Sequence, residues 1–184
     1  MIAVTDLRAG ATFAENNDIY QVLSYEHIKM GRGSANIKIK ARNLRSGAIV
    51  ERGYISGANV QDIYLTNKTY QFLYKDGETA NFMDNETYEQ ISVPLSQLFG
   101  HEFLQEGENV QLQLYNDEIL GLVLPPKVTM TVADTPPGVK GNSASNVYKD
   151  ATLENGMRVR VPLFINNGDK VIVDTRDGSY TKRA

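Results

Sequence analysis

Between residues 35 and 42 polar and apolar side chains alternate without a break. Ala35, Ile37, Ile39 and Ala41 fall on one side, and Asn36, Lys38, Lys40 and Arg42 on the other. A two-residue period predicts a β-strand with one face toward a core and one basic face toward water. The preceding stretch, Asp18 to Lys29, is rich in strand formers (Ile19, Tyr20, Val22, Leu23, Tyr25, Ile28), so the two segments predict a hairpin connected through Gly31-Arg32-Gly33. Glycine on both sides tolerates positive φ and close approach by another molecule. The arginine between them is a permanently charged planar donor suited to phosphate- and carbonyl-rich surfaces. Elsewhere, alternating apolar runs are punctuated by Asp76-Gly77, Asn116-Asp117, Asn166-Asn167-Gly168 and Asp177-Gly178, an all-β pattern. Pro94 to Leu98 reads as a single helical turn.

A shift of 49 residues lays Gly107, Val110, Leu112, Leu114, Tyr115, Leu122, Val123 and Leu124 on Gly156, Val159, Val161, Leu163, Phe164, Val171, Ile172 and Val173, with apolar type kept at each apolar pair. Such self-similarity predicts two copies of one small barrel, of a size that suits five-stranded OB folds. The chain then divides into residues 1–64, 65–128 and 129–184, with soft junctions from Gly57-Ala58-Asn59 to Tyr64 and at Pro125-Pro126-Lys127. Three such units in a row reach about 75–80 Å, an elongated object.

Composition narrows the chemistry. Among 184 residues, 41% are apolar and 22% charged, which is ordinary for a globular protein. The absence of cysteine removes disulfides, thiolate zinc sites and cysteine nucleophiles together, and suits a reducing compartment. The two histidines, His27 and His101, lie far apart, and Asp84, Glu86 and Glu89 lack the spacing of a calcium loop, so no metal or other cofactor is expected. His27 is expected to pack or hydrogen-bond near the base of the hairpin. The start of the chain lacks the pattern of a secretory signal, and the run Ile119 to Leu124 is far too short to cross a bilayer; a soluble cytoplasmic protein is expected.

The net charge of −3 hides a segregation. Residues 1–64 carry +2, residues 65–128 carry −7 and residues 129–184 carry +2. Between Tyr25 and Arg52 stand seven basic residues (Lys29, Arg32, Lys38, Lys40, Arg42, Arg45, Arg52) against Glu26 and Glu51, a local footprint for a polyanion. A solvated strand face would look the same.

The final third reads Lys149-Asp-Ala151-Thr-Leu-Glu-Asn-Gly156-Met-Arg-Val159-Arg-Val161-Pro162-Leu-Phe-Ile165-Asn-Asn-Gly168. It is preceded by Asp134-Thr-Pro-Pro-Gly138-Val-Lys140-Gly141 and followed by Val173-Asp-Thr-Arg-Asp-Gly-Ser-Tyr180, with Phe82-Met-Asp-Asn-Glu-Thr-Tyr88-Glu-Gln90 in the middle unit. These stretches resemble bacterial elongation factor P, and the resemblance runs over essentially the whole chain. It implies an SH3-like, KOW-type barrel followed by two OB folds, arranged as an elongated L resembling tRNA. It further implies a monomeric, non-enzymatic factor with no membrane role. Such a factor binds both subunits of the 70S ribosome between the peptidyl-tRNA and exit-tRNA sites, positions P-site peptidyl-tRNA, and relieves stalling at consecutive prolines.

In that resemblance the tip loop is Lys29-Met30-Gly31-Arg32-Gly33, with Arg32 in the key position near the peptidyl-transferase centre. An arginine is no acceptor for the lysylation that lysine-bearing relatives undergo. Rhamnosylation by an arginine-modifying enzyme and a bare guanidinium both stay open, and Met30 in place of a common proline leaves the tip less rigid. Lys38, Lys40 and Arg42 are expected to face tRNA or ribosome. Tyr180 and Arg183 match residues expected at the P-site tRNA and the small subunit, by stacking and phosphate pairing. Gly141-Asn142-Ser143 stands where relatives carry Gly-Asp-Thr toward the mRNA at the exit-site codon. The competing class is a general single-stranded RNA-binding or RNA-chaperone protein built from OB folds.

Overall fold

The computed structural model describes residues 1–28, 36–138 and 147–184. Strands β1 (Ile2–Ala3), β2 (Thr12–Glu15), β3 (Asp18–Ile28), β4 (Asn36–Asn43), β5 (Ile49–Ile55) and β6 (Asn59–Asp62) form one antiparallel sheet in the order β1-β6-β2-β3-β4-β5. β3 and β4 pair from Tyr20 opposite Asn43 out to Ile28 opposite Asn36, which is the hairpin that the alternation predicts. Ile37, Ile39 and Ala41 are fully buried and pack with Phe13, Tyr20 and Val22. Side chains tie β5 back across the barrel: the Tyr54 hydroxyl donates to Glu15 at 3.1 Å, and the Arg52 guanidinium donates to the Tyr20 hydroxyl at 3.0 Å. Burial, with Glu15 alongside, pushes the Tyr54 hydroxyl pKa well above its ordinary value, so this tie stays protonated at any physiological pH.

Two five-stranded sheets follow. The second holds β7 (Thr66–Asp76), β8 (Thr79–Asp84), β9 (Gln90–Pro94), β10 (Asn109–Tyr115) and β11 (Glu118–Val123), in the order β11-β10-β7-β8-β9. The third holds β12 (Lys127–Asp134), β13 (Tyr148–Leu153), β14 (Arg158–Pro162), β15 (Lys170–Asp174) and β16 (Tyr180–Arg183), in the order β14-β13-β12-β15-β16. Reversed, the third order is the second: in both, the first strand is central and is flanked by the second and the fourth. The single helical turn expected near Pro94 is a 3-10 turn at Leu95–Gln97, with Pro94 as its cap.

The sheets are two copies of one topology, but the 49-residue register is not the one that relates them. It lays β10, a fourth strand, on β14, a third strand, and carries the end of β11 onto β15. The matching landmarks are others. Val93-Pro94-Leu95 and Val161-Pro162-Leu163 both end a third strand. Gly107 and Gly168 both donate to the central strand, to the Phe72 and Val132 carbonyls, while the Phe72 and Val132 amides donate back to Glu108 and Asp169. A two-residue period looks the same on every amphipathic strand, so hairpins align on one another whatever their place in the barrel.

By compactness the chain forms two units: Met1–Phe99 with Glu106–Val123, and Gly100–Gln105 with Leu124–Ala184. In the first, the two sheets share a small core of Ile19, Leu44, Ile63 and Leu120. In the second, Phe103 lies in the core of the third sheet with Met130, Leu153, Val161 and Val173.

Asp84 closes the turn after β8. It accepts from the Glu86 and Thr87 amides and pairs with Lys68 at 2.6 Å. Lys68, followed by these amide donors, holds its pKa down at about 2. Because the folded value lies below the ordinary ~3.9, this stabilisation is complete above about pH 4 and is lost as the pH falls toward 2. Asp84→Asn keeps an acceptor for the amides and removes the charge. Thermal melts should therefore show the parent above the variant at neutral pH, with the gap closing through that acid window; a constant gap would show that the charge is not its source.

Candidate nucleic-acid interface

The hairpin leaves the barrel beyond Tyr25, since Glu26, His27 and Ile28 are all exposed, whereas Ile19, Tyr20 and Val22 farther in on β3 are buried. Its base is braced on one side by Arg8, whose guanidinium lies 5.3 Å from the Tyr25 ring centre, and by the Tyr25 hydroxyl, which donates to the Thr5 carbonyl at 3.4 Å. His27, expected to pack near this base, is exposed. Residues 29–35 connect β3 to β4, so Lys29, Met30, Gly31, Arg32 and Gly33 lie outside the described residues.

On β4, Lys38 and Lys40 face solvent, as the alternation predicts. Lys38 pairs with Glu51 of β5 at 2.9 Å, and this contact raises the lysine pKa and lowers that of the glutamate. Lys40 sits opposite Glu51 in the ladder but has no ion pair among the described residues. Ser24, Glu26, Lys38, Lys40 and Glu51 line a shallow polar recess.

The remaining arginines of the basic run are held within the first unit. Arg42 lies 3.8 Å over the ring of Phe99, between β4 and the end of the second sheet. Burial there lowers its pKa, yet a guanidinium stays charged at neutral pH. Arg45 grips Glu118 with two hydrogen bonds, of 2.8 and 2.9 Å, and also donates to the Asn17 carbonyl. Arg52 is turned inward toward Tyr20 and Glu15. Counting charges along the chain could not find Phe99, Glu118 or Glu15, because each partner is remote in sequence. The side chains at the root of β4 therefore fasten the hairpin strand to the second sheet, and of the two lysines on β4 it is Lys40 that has no ion pair among the described residues.

In the second unit, Gly141, Asn142 and Ser143 fall in residues 139–146, outside the described residues. The anchor of that loop is well built. The buried Lys149 ammonium donates to the Pro136 carbonyl at 2.6 Å, the Thr135 hydroxyl donates to the Asp150 carbonyl, and the Thr135 amide donates to Asn167. Gly138 admits no side chain, since a Cβ there would lie 2.1 Å from the Leu163 carbonyl oxygen. Tyr180 is half-buried and packs on the core, and Arg183 donates to Asp169 at 2.9 Å while staying largely exposed.

Three family models match the chain in order. "Elongation factor P (EF-P) KOW-like domain" matches residues 3–60, "Elongation factor P (EF-P) OB domain" residues 65–122, and "Elongation factor P, C-terminal" residues 128–183. Among solved structures, the chain is similar to eukaryotic translation initiation factor 5A from Methanococcus jannaschii, at 20% identity and a TM-score of 0.52, over 66% of this chain and 90% of that one. It also matches a translation initiation factor eif-5a family protein from Naegleria fowleri ATCC 30863, at 16% identity and a TM-score of 0.48, over 67% and 94% respectively.

Proposed function

The chain belongs to the elongation factor P family and is a translation elongation factor; from that premise we propose that it binds the ribosome beside the peptidyl-tRNA and presents Arg32 to the tRNA acceptor end. The observation that carries this reading is a braced hairpin, β3–β4, whose connection holds Gly31-Arg32-Gly33, in a chain matched from end to end by the three models. Arg32 forms charge-assisted bonds with phosphate and ribose oxygens of the acceptor end. Proline reacts slowly because its ring restricts φ and the approach of its nitrogen. Holding the acceptor end in a reactive pose supplies orientation to a step whose catalyst is ribosomal RNA, so the factor acts by positioning and not as an enzyme. Tyr180 and Arg183 contact the P-site tRNA and small subunit, and the loop holding Gly141, Asn142 and Ser143 meets mRNA at the exit-site codon. A factor working at the ribosome works in the cytoplasm. The intact mass of the native protein distinguishes a bare Arg32 from one extended by a modifying enzyme.

The test is reconstituted translation of two reporters, one with consecutive prolines and one with alanines in their place. Added protein should raise the yield of the proline reporter by about tenfold or more, a barrier change of about 1.4 kcal/mol, and leave the alanine reporter unchanged. Equal responses of the two reporters would overturn the reading.

A further inference from the structure

The outer surface of β13 and β14 carries exposed side chains that neither the hairpin nor the core accounts for. Along these two strands Lys149, Ala151, Leu153, Val159 and Val161 point inward. The alternate positions pair across the ladder on the outer side: Tyr148 with Pro162, Asp150 with Arg160, and Thr152 with Arg158. Tyr148 is 51% exposed, and Phe164, just beyond β14, is 60% exposed. Neither Arg158 nor Arg160 has an ion pair among the described residues, although Asp150 stands across from Arg160. The face thus carries the exposed Tyr148 ring at one end, with exposed Phe164 two residues past Tyr148's ladder partner Pro162, and two available guanidinium groups farther along.

The second sheet is an internal control, since it has the same strand order. Its equivalent outer face, on β8 and β9, presents Thr79, Asn81 and Met83 against Pro94, Ser92 and Gln90, without a charge or an aromatic ring. Packing does not demand the rings and arginines of the third sheet, because the same architecture closes without them. In OB folds the face of the second and third strands is where extended single strands are seated, by base stacking on rings and backbone tracking by cations.

We propose that the outer face of β13–β14 is an RNA-binding site of its own, separate from the hairpin, that seats a short single-stranded segment with bases on Tyr148 and Phe164 and phosphates on Arg158 and Arg160. Asp150 weakens the site, and the net negative charge of the chain keeps its affinity for free RNA low, so binding is strongest at low salt.

Fluorescence anisotropy of the full chain with a labelled oligouridylate at low salt tests this. Tyr148→Ala with Phe164→Ala should raise the Kd by about tenfold or more, within the range of one to two lost stacks. Arg158→Gln with Arg160→Gln should flatten the log Kd against log salt slope by about 1.4, the share of two phosphates on a single strand. Asp150→Asn should tighten binding, a gain that a purely structural role of this face would not produce. All these positions are exposed, and circular dichroism checks that the fold is kept. The proposal fails if the parent does not bind, if the aromatic and arginine variants bind like the parent, or if Lys38→Gln with Lys40→Gln abolishes binding while the β13–β14 variants do not. A failure here leaves the proline-reporter result untouched, so the two readings fall separately.

Discussion

Arg32→Ala should fold like the parent, retain most of its ribosome affinity and lose nearly all stimulation of synthesis through proline runs. Arg32 falls in the connection between β3 and β4, and substitutions away from a core usually change stability by less than about 0.5 kcal/mol. What is removed is a charge-assisted hydrogen-bonding group. Such bonds contribute about 1.5–3 kcal/mol each, so losing even one such contact at a positioned acceptor end costs on the order of 10- to 10²-fold in rate. Arg32→Lys should fall between parent and alanine, because a lysine keeps the charge but not the planar fork that meets two oxygens at once. The measurement is peptide-bond formation on proline-stalled ribosomes at saturating factor, with ribosome affinity measured in parallel. Undiminished stimulation by the alanine variant would remove Arg32 from the mechanism, and a loss matched by lost ribosome binding would make it an anchor instead.

Much of the architecture was open to reading in advance because burial imposes its period directly on the chain. Ile37, Ile39 and Ala41 could only alternate with Asn36, Lys38 and Lys40 if one side met a core, and that alternation predicted the hairpin. The repeat was legible as a fact and misread in register, because period-two hydrophobicity does not say which strand of a barrel it belongs to. The landmarks that do, Gly107 and Gly168 with their paired bonds to the central strands, depend on backbone geometry. The basic footprint was legible in composition but not in allegiance. Arg42, expected to face nucleic acid, lies over Phe99, and Arg45 pairs with Glu118, contacts between segments that no local pattern announces.

Phe103 carries the second large effect, and the chain segment it belongs to makes that effect unexpected. It follows the third strand of the middle sheet by a few residues, yet its ring is buried among Met130, Val132, Leu153 and Val171 of the third sheet. Its neighbours hold it there: Gly100 turns with φ of +87°, the Glu102 carbonyl accepts from the Asn155 side chain at 2.9 Å, and the Gln105 amide approaches the Met130 sulfur at 3.8 Å. Truncating a buried phenylalanine costs about 3–5 kcal/mol, from lost transfer energy and the cavity left behind. Phe103→Ala should therefore destabilise the unit of Leu124–Ala184 by about that amount while sparing the unit that contains β7–β11. Native-state hydrogen exchange resolves the two. Protection should fall by on the order of 10²- to 10³-fold for amides of β12, β13 and β15 and stay near parental values for β7, β8 and β10. Equal losses in both sets would mean that the units unfold as one, and losses confined to the middle sheet would place the ring in the wrong core.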